Sequence, residues 1–81
     1  MRRARIRGGA VEKFDPREVF DRDAWVCGIC SESVDPELRY PDPMSVSLDH
    51  IVPVSLGGDH TRANTRCSHW ICNSRRGASA A

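Results

Sequence analysis

Four side chains in the second half of the chain have the types and the order that metal-assisted hydrolysis requires. Asp49 and His50 are adjacent, Asn64 follows fourteen residues after the histidine, and Asn73 follows nine residues later. A carboxylate can hold a hard divalent cation, a neutral imidazole can take a proton from water, and an amide oxygen can be a second ligand. The pattern therefore predicts a site in which a bound cation and an imidazole act on the same bond.

The cysteines predict a second, structural metal site. Cys27 and Cys30 are separated by two residues, which is the spacing of a zinc knuckle. A tetrahedral zinc needs two further ligands, and the chain offers Cys67, His69 and Cys72. A redox Cys-x-x-Cys pair normally lies in a βαβ pattern, which this chain lacks, so metal binding is favoured over thiol oxidoreductase activity.

The stretch from Leu48 to Gly77, together with the upstream cysteine pair, resembles the motif of the HNH endonucleases and covers roughly two thirds of the chain. The resemblance implies a small α+β fold of the ββα-metal finger type, with a short N-terminal helix and a structural zinc knuckle. It also implies hydrolysis of DNA phosphodiester bonds, by nicking or double-strand cleavage. In that activity His50 would be the general base, Asp49 and Asn73 would hold the catalytic cation, and Asn64 would brace the loop that orients the base.

The same resemblance favours one set of zinc ligands. The distal pair of the family has two intervening residues, and His69 and Cys72 fit that spacing, so the expected set is Cys27, Cys30, His69 and Cys72. Cys67 is then a buried residue of a strand. An all-thiolate site in which Cys67 replaces the histidine stays open, because His69 would then be free to join Asn73, four residues away on a helix, at the catalytic cation.

The sequence departs from the commoner family pattern at two points. The distal zinc pair is His-x-x-Cys rather than Cys-x-x-Cys, and Asn73 stands where the motif's final histidine is expected. Both changes keep ligand chemistry, since histidine binds zinc and an amide oxygen binds Mg²⁺. An asparagine favours a harder ion, so we expect Mg²⁺ or Mn²⁺ at the catalytic site and Zn²⁺ at the structural one.

The length and composition allow one small domain. The chain has 81 residues, and we divide it into a flexible basic arm (1–13), an HNH nuclease domain (14–77) and a disordered tail (78–81). A chain of this size buries too little surface to fold easily without a metal or a disulfide. The four cysteines are the natural source of that stabilisation.

Basic residues concentrate at the two ends of the chain, and all but one of them are arginine. An arginine guanidinium matches the geometry of phosphate oxygens, so Arg62, Arg75 and Arg76 are candidate DNA contacts. His60 lies in a Gly-Gly-Asp-His-Thr loop and is expected to be solvated rather than a ligand. No apolar run is long enough to cross a bilayer, which predicts a cytoplasmic protein without a membrane partner.

The order of predicted elements is helix, strand, strand, helix. Asp15-Pro16, followed by Glu18, predicts a short helix from Pro16 to about Asp23 with Val19 and Phe20 inward. Strands are expected over 46–52, with Val46, Leu48 and Val52 on one side, and near 65–67. A final helix is expected from about His69 to Arg76, ending at Gly77. The proline-rich loop 31–45 is expected to cover the core with Leu38, Tyr40 and Met44.

Small arginine-rich nucleases of this kind look like those encoded by bacteriophages, some of them beside DNA-packaging genes. DNA is therefore the expected partner, phage packaging proteins are candidate partners, and the cytoplasm of a bacterial host is the expected location. The alternative is a non-catalytic zinc module that binds nucleic acid or protein. Such a module would need the zinc ligands and the arginines but neither Asp49 nor His50.

Overall fold

A short helix is followed by a β-hairpin and a longer helix in residues 9–80, the part of the chain described by the computed structural model. The elements are α1 (Pro16–Arg22), β1 (Val46–His50), β2 (Thr65–His69) and α2 (Trp70–Ala80). β1 and β2 form a two-stranded antiparallel sheet, and α2 packs on it. The small α+β fold with β, β, α order that the sequence predicts is confirmed.

A capping box starts α1. The carboxylate of Asp15 accepts a hydrogen bond from the amide of Arg17 (2.9 Å), and the carboxylate of Glu18 accepts one from the amide of Asp15 (3.3 Å). These contacts satisfy amides that have no partner inside the helix. Val19 and Phe20 are buried, as predicted, and so α1 covers one side of the core.

β1 is shorter than predicted and ends at His50 rather than at Val52. The side chain of Asn64 explains the difference, because it accepts a hydrogen bond from the amide of Val52 (3.0 Å) and donates one to its carbonyl (3.0 Å). Both backbone groups that would continue the ladder are thereby occupied. Val52, predicted to share one side of the strand with Val46 and Leu48, therefore lies outside β1, and 47% of this residue is exposed.

α2 follows β2 without a loop, and two carbonyls of the loop before β1 accept hydrogen bonds from its first amides. The amide of Trp70 donates to the carbonyl of Ser45 (2.7 Å), and the amide of Ile71 donates to that of Pro43 (2.9 Å). The predicted helix end at Gly77 is wrong, because the helical backbone continues to Ala80. One glycine inside a helix costs only about 1 kcal/mol, so it does not end a helix by itself. Residues 78–80 of the predicted tail therefore belong to α2, and residue 81 lies outside the described residues.

The core is small and includes two of the cysteines. Its buried apolar members are Val19, Phe20, Cys27, Val34 and Cys67. The predicted covering by the proline-rich loop is wrong for Tyr40 and Met44, which are 72% and 46% exposed. Tyr40 instead packs edge-on against the ring of Trp70, with 5.5 Å between the ring centroids.

The last residues of the predicted basic arm contact the domain. The amide of His60 donates to the carbonyl of Ala10 (2.9 Å), and the amide of Glu12 donates to the carbonyl of His60 (2.8 Å). Val11 and His60 form a parallel β-bridge. Residues 9–13 thus hold the loop that carries His60, whereas residues 1–8 of the predicted arm lie outside the described residues.

Candidate active site and metal centre

The side chains of Cys27, Cys30, His69 and Cys72 converge where β2 meets α2, and we call them the sulfur cluster. One candidate ligand atom from each lies within 4.8 Å of the others. The Nδ1 atom of His69 is 3.4 Å from the sulfur of Cys30 and 3.8 Å from that of Cys72. Tetrahedral zinc, with Zn–S bonds of about 2.3 Å and Zn–N bonds of about 2.0 Å, separates sulfur from nitrogen by about 3.5 Å. The observed separations therefore suit a zinc ion.

Hydrogen bonds around the cluster prepare its atoms for a cation. Burial opposes ionisation of Cys27, but the backbone amides of Cys30, His69 and Ile29 donate to its sulfur and bring the pKa of the thiol down to about 6. The Nε2 atom of His69 lies 3.0 Å from the carbonyl oxygen of Ser33. A proton on Nε2 can make this bond, which leaves the Nδ1 lone pair directed at the sulfur atoms.

Cys67 is placed outside the sulfur cluster. It is fully buried in β2, where its amide donates to the carboxylate of Asp23 (2.9 Å) and its carbonyl accepts from the amide of Gly28 (2.9 Å). Burial, reinforced by the charge of Asp23, raises the pKa of the Cys67 thiol to about 11. Its surroundings are those of a small apolar residue, which favours the ligand set with His69 over the all-thiolate alternative.

His50 is the last residue of β1 and is half-buried. Its Nε2 atom lies 3.0 Å from the Nδ1 atom of His60, so one ring nitrogen donates to the other. Burial lowers the pKa of His50 below its ordinary value of 6.5, the nearby His60 lowers it further, and Asp49 opposes the shift. The imidazole of His50 is therefore held neutral, as a general base must be.

His60 is a residue whose importance the sequence did not indicate. It was expected to be a solvated loop residue, but it is half-buried, contacts His50 and stacks on the ring of Phe14 with 5.0 Å between centroids. The partner residues are distant in sequence, and a lone histidine between Asp59 and Thr61 has no periodicity to interpret. The one available signal is the return of the chain through a Gly-Gly turn, which brings the loop back towards the end of β1.

Asp49 is 1% exposed and paired with two arginines. Its carboxylate oxygens accept from Arg66 Nε (2.7 Å) and from Arg76 (3.0 Å). Arg66 is the cross-strand partner of Asp49, and such partners lie on the same face of a sheet. His50 contacts a different set of residues, which agrees with the expected alternation of strand side chains.

The two asparagines connect neighbouring segments of the backbone. The side-chain nitrogen of Asn73 donates to the hydroxyl of Ser47 (2.9 Å) and to the carbonyl of Leu48 (3.3 Å), which places the amide beside the strand residue before Asp49. Asn64 bonds both backbone groups of Val52 and donates to the carbonyl of Asp59 (2.7 Å). Asn64 thus ties the end of β1 to the residue that precedes His60. We refer to Asp49, His50, His60, Asn64 and Asn73 together as the His50 site.

The three arginines predicted to contact DNA have different surroundings. Arg62 forms ion pairs with Glu12 and Glu18, so its charge is compensated within the protein. Arg76 donates to Asp49 and to the carbonyl of His50 (3.0 Å). Arg75 is exposed and has no hydrogen bond or ion pair with any residue in 9–80. Arg66, which was not among the predicted contacts, pairs directly with Asp49.

The donor atoms of Asp49 and Asn73 suit a hard cation chemically, although Asp49 already has two positively charged partners. Each carboxylate oxygen accepts one hydrogen bond and retains a second lone pair. Two guanidinium groups beside a divalent cation repel it unless an anion lies between them. A phosphate group is an anion of the kind that could lie between them.

No helix in residues 9–80 combines the length and the apolar character needed to cross a bilayer.

Comparison with curated proteins and with solved structures gave no match. The HNH endonuclease family profile matches residues 27–79, from the first cysteine of the knuckle into α2. The matched region contains the whole sulfur cluster and the whole His50 site. Because the match spans well over half of the chain, the protein belongs to the HNH endonuclease family.

Proposed function

We propose that the protein is a metal-dependent endonuclease that hydrolyses phosphodiester bonds of DNA. The observation that carries the proposal is the state of His50, a half-buried imidazole with a lowered pKa whose Nε2 atom is held by His60. Within residues 9–80 no protein group forms a hydrogen bond with its other nitrogen, Nδ1. A neutral ring with one nitrogen fixed and the other free is suited to take a proton from water.

The neighbouring residues supply the remaining requirements of the reaction. Asp49 and Asn73 would hold Mg²⁺ or Mn²⁺, and such an ion, when bound, stabilises the additional negative charge of the transition state and the departing oxygen. Arg66 and Arg76 place positive charge beside Asp49, where a phosphate oxygen can replace the carboxylate as their partner. Asn64 would hold the loop and keep the base oriented.

The sulfur cluster would bind a structural zinc ion. All four ligand atoms come from the protein, which leaves no open position for substrate, and closed sites of this kind stabilise folds rather than catalyse reactions. Zinc would therefore hold the junction of β2 and α2, from which Asn73 projects towards β1. The phage origin, the packaging partners and the cytoplasmic location inferred from the sequence stay predictions.

A non-catalytic zinc module is the second candidate function, and the pairing of Asp49 with two arginines is the observation that favours it. A carboxylate compensated in this way can serve packing alone. The two candidates differ in what they require of His50. A binding module has no use for an unprotonated imidazole, whereas the nuclease depends on it.

Incubation of supercoiled plasmid with Mg²⁺, using the full-length protein and His50→Ala purified in parallel, decides between the two functions. We expect the parent to convert the plasmid to nicked or linear forms and His50→Ala to lose activity by about 10²–10⁴-fold. Zinc content and the thermal unfolding curve serve as controls for folding. A folded, zinc-loaded His50→Ala that cuts as well as the parent would refute the nuclease, as would a parent without activity in Mg²⁺ or Mn²⁺.

A further inference from the structure

We propose that His60 is a positioning residue that fixes the tautomer and the orientation of His50 in the cleavage reaction. The inference rests on the proposed nuclease function and adds a residue to it. Its basis is the contact of 3.0 Å between His50 Nε2 and His60 Nδ1. The rings are tilted by 38° with 5.2 Å between their centroids, so the contact is made through the nitrogen atoms and not by stacking.

The direction of this hydrogen bond follows from the chemistry of a base. A neutral imidazole carries one proton, and the nitrogen that accepts a proton from water must be the other one. Since Nε2 of His50 faces His60, Nδ1 is the nitrogen that can face the water. His50 must then carry its proton on Nε2 and donate it to Nδ1 of His60, and His60 must carry its own proton on Nε2. Each ring is thereby assigned one tautomer.

The position of His60 is itself fixed on both sides. Its backbone forms hydrogen bonds with Ala10 and Glu12, and its ring stacks on Phe14 with an interplanar angle of 24°. The preceding residue, Asp59, accepts a hydrogen bond from the amide of Ala10 (2.9 Å). A residue that only filled a surface loop would not need these contacts. The segment 10–14 therefore has a function in the site, which is to hold the acceptor of the His50 proton.

The polar groups around the two histidines are bonded elsewhere and do not compete for the ring nitrogens that face each other. Among residues 9–80, Asp49 directs its oxygens at Arg66 and Arg76, and Asn64 uses its side chain on backbone groups. Without His60, the Nε2–H of a half-buried ring would lose its acceptor and the ring could rotate about its side-chain bonds. The expected consequence is a lower turnover rate with little change in substrate affinity, because the ring reaches water and not the DNA backbone.

Three variants separate the hydrogen bond from the packing. His60→Phe retains a ring against Phe14 and removes the nitrogen, whereas His60→Asn retains a polar atom near the Nδ1 position and removes the ring. Phe14→Leu removes the stacking and leaves the nitrogen, so it measures how much of any effect comes from packing alone. We expect His60→Phe to lower kcat by about 10- to 100-fold with KM within about twofold of the parent, the range for loss of a residue that orients a functional histidine. His60→Asn should recover most of the rate.

A spectroscopic measurement tests the same inference without activity. In long-range ¹H–¹⁵N correlation spectra of the zinc-loaded protein at about pH 8, above the ordinary pKa of an imidazole, His50 and His60 should each be in the Nε2–H form, and His50 should become a mixture in His60→Phe. Parent-like turnover in His60→Phe, or a parent His50 protonated on Nδ1, would overturn the inference. A parent that cleaves no DNA would refute the proposed function, and the tautomer of His50 would still decide the role of His60.

Discussion

The sulfur cluster and the His50 site lie at opposite ends of one hairpin and use their polar atoms in opposite ways. His69 pairs with Val46 at one end of the sheet, and His50 pairs with Thr65 at the other. In the sulfur cluster, every candidate ligand atom faces the other ligands, so the site is closed. At the His50 site, the Nδ1 atom of His50 has no hydrogen-bond partner among residues 9–80, and two arginines lie beside a carboxylate. The first arrangement suits the structural zinc ion proposed for it, and the second suits the proposed phosphate ligand.

α2 connects the two regions through adjacent residues. Cys72 belongs to the sulfur cluster, and Asn73 donates to Ser47 and Leu48 of β1. Consecutive residues of a helix point about 100° apart, so one turn can serve two sites. A metal that fixes Cys72 consequently also fixes the position of Asn73. The comparison predicts that loss of the sulfur cluster destroys both regions, whereas damage at the His50 site leaves the cluster intact.

The largest effect is expected from loss of a zinc ligand. Cys27→Ser should lose zinc and ordered structure together, because a structural zinc contributes on the order of 10–16 kcal/mol in small domains. Cys67→Ala is the matched control, since Cys67 is buried but lies outside the cluster. The measurements are zinc per chain and the far-UV circular dichroism melting curve. Zinc loss in a folded Cys67→Ala would contradict the ligand assignment, because Cys67 is a ligand only in the all-thiolate alternative.

A smaller effect is expected from Asp49→Asn, which retains the shape of the side chain and removes its charge. Cleavage should fall by about 10²–10³-fold, because the cation loses its anionic ligand. Zinc content should stay at the parent value, since Asp49 is not part of the sulfur cluster. The measurement is the plasmid nicking rate at saturating Mg²⁺, accompanied by zinc analysis. Parent-like cleavage would mean that Asp49 serves only to hold Arg66 and Arg76.

The next effect in size is expected in the pH dependence of cleavage, which should follow the protonation of His50 and not the sulfur cluster. The pKa of His50 is lowered from 6.5 by burial and by His60, so the base stays unprotonated to a lower pH than a free imidazole. Activity should therefore be complete at neutral pH and fall, as the pH decreases, with a midpoint below 6.5 in kcat/KM. Zinc content at each pH identifies any loss caused by the cluster. A midpoint above that value with full zinc occupancy contradicts the assignment of His50.

The smallest effect is expected where a change affects neither region. Asp15→Ala removes the capping box of α1 and should lower the free energy of unfolding by about 1 kcal/mol. Cleavage per folded molecule should not change, because α1 contributes no residue to either site. Glu32→Ala, at an exposed position, should alter the free energy by less than about 0.5 kcal/mol. A large loss of cleavage in Asp15→Ala would show that α1 takes part in the reaction.

Features that are set by residues close together in the sequence could be predicted from it. The capping box at Asp15 and Glu18, the Cys-x-x-Cys pair and the His-x-x-Cys spacing each place their members by short-range geometry, and the structure contains all three. β1 was predicted, but its end was placed two residues too late, because that end is set by Asn64, which bonds Val52 across a loop. Strand propensity carries no information about such a bond.

The chemistry of the His50 site was only partly accessible for the same reason. The pair Asp49-His50 is visible in the sequence, whereas the contact with His60 depends on how the loop returns and on the segment that contains Phe14. The pairing of Asp49 with Arg66 depends on strand register, and its pairing with Arg76 depends on where α2 crosses the sheet. Each requires the tertiary fold, which residue spacing alone does not provide.

The most direct test of the division between the two regions is the cleavage rate as Mg²⁺ is added to zinc-loaded, full-length protein. We predict no cleavage at zero Mg²⁺ with the zinc still bound, and a saturating rise as Mg²⁺ fills the His50 site, with Mn²⁺ able to replace it. Cleavage by the zinc-loaded protein without any added cation, or its restoration by Zn²⁺ alone, would contradict the account.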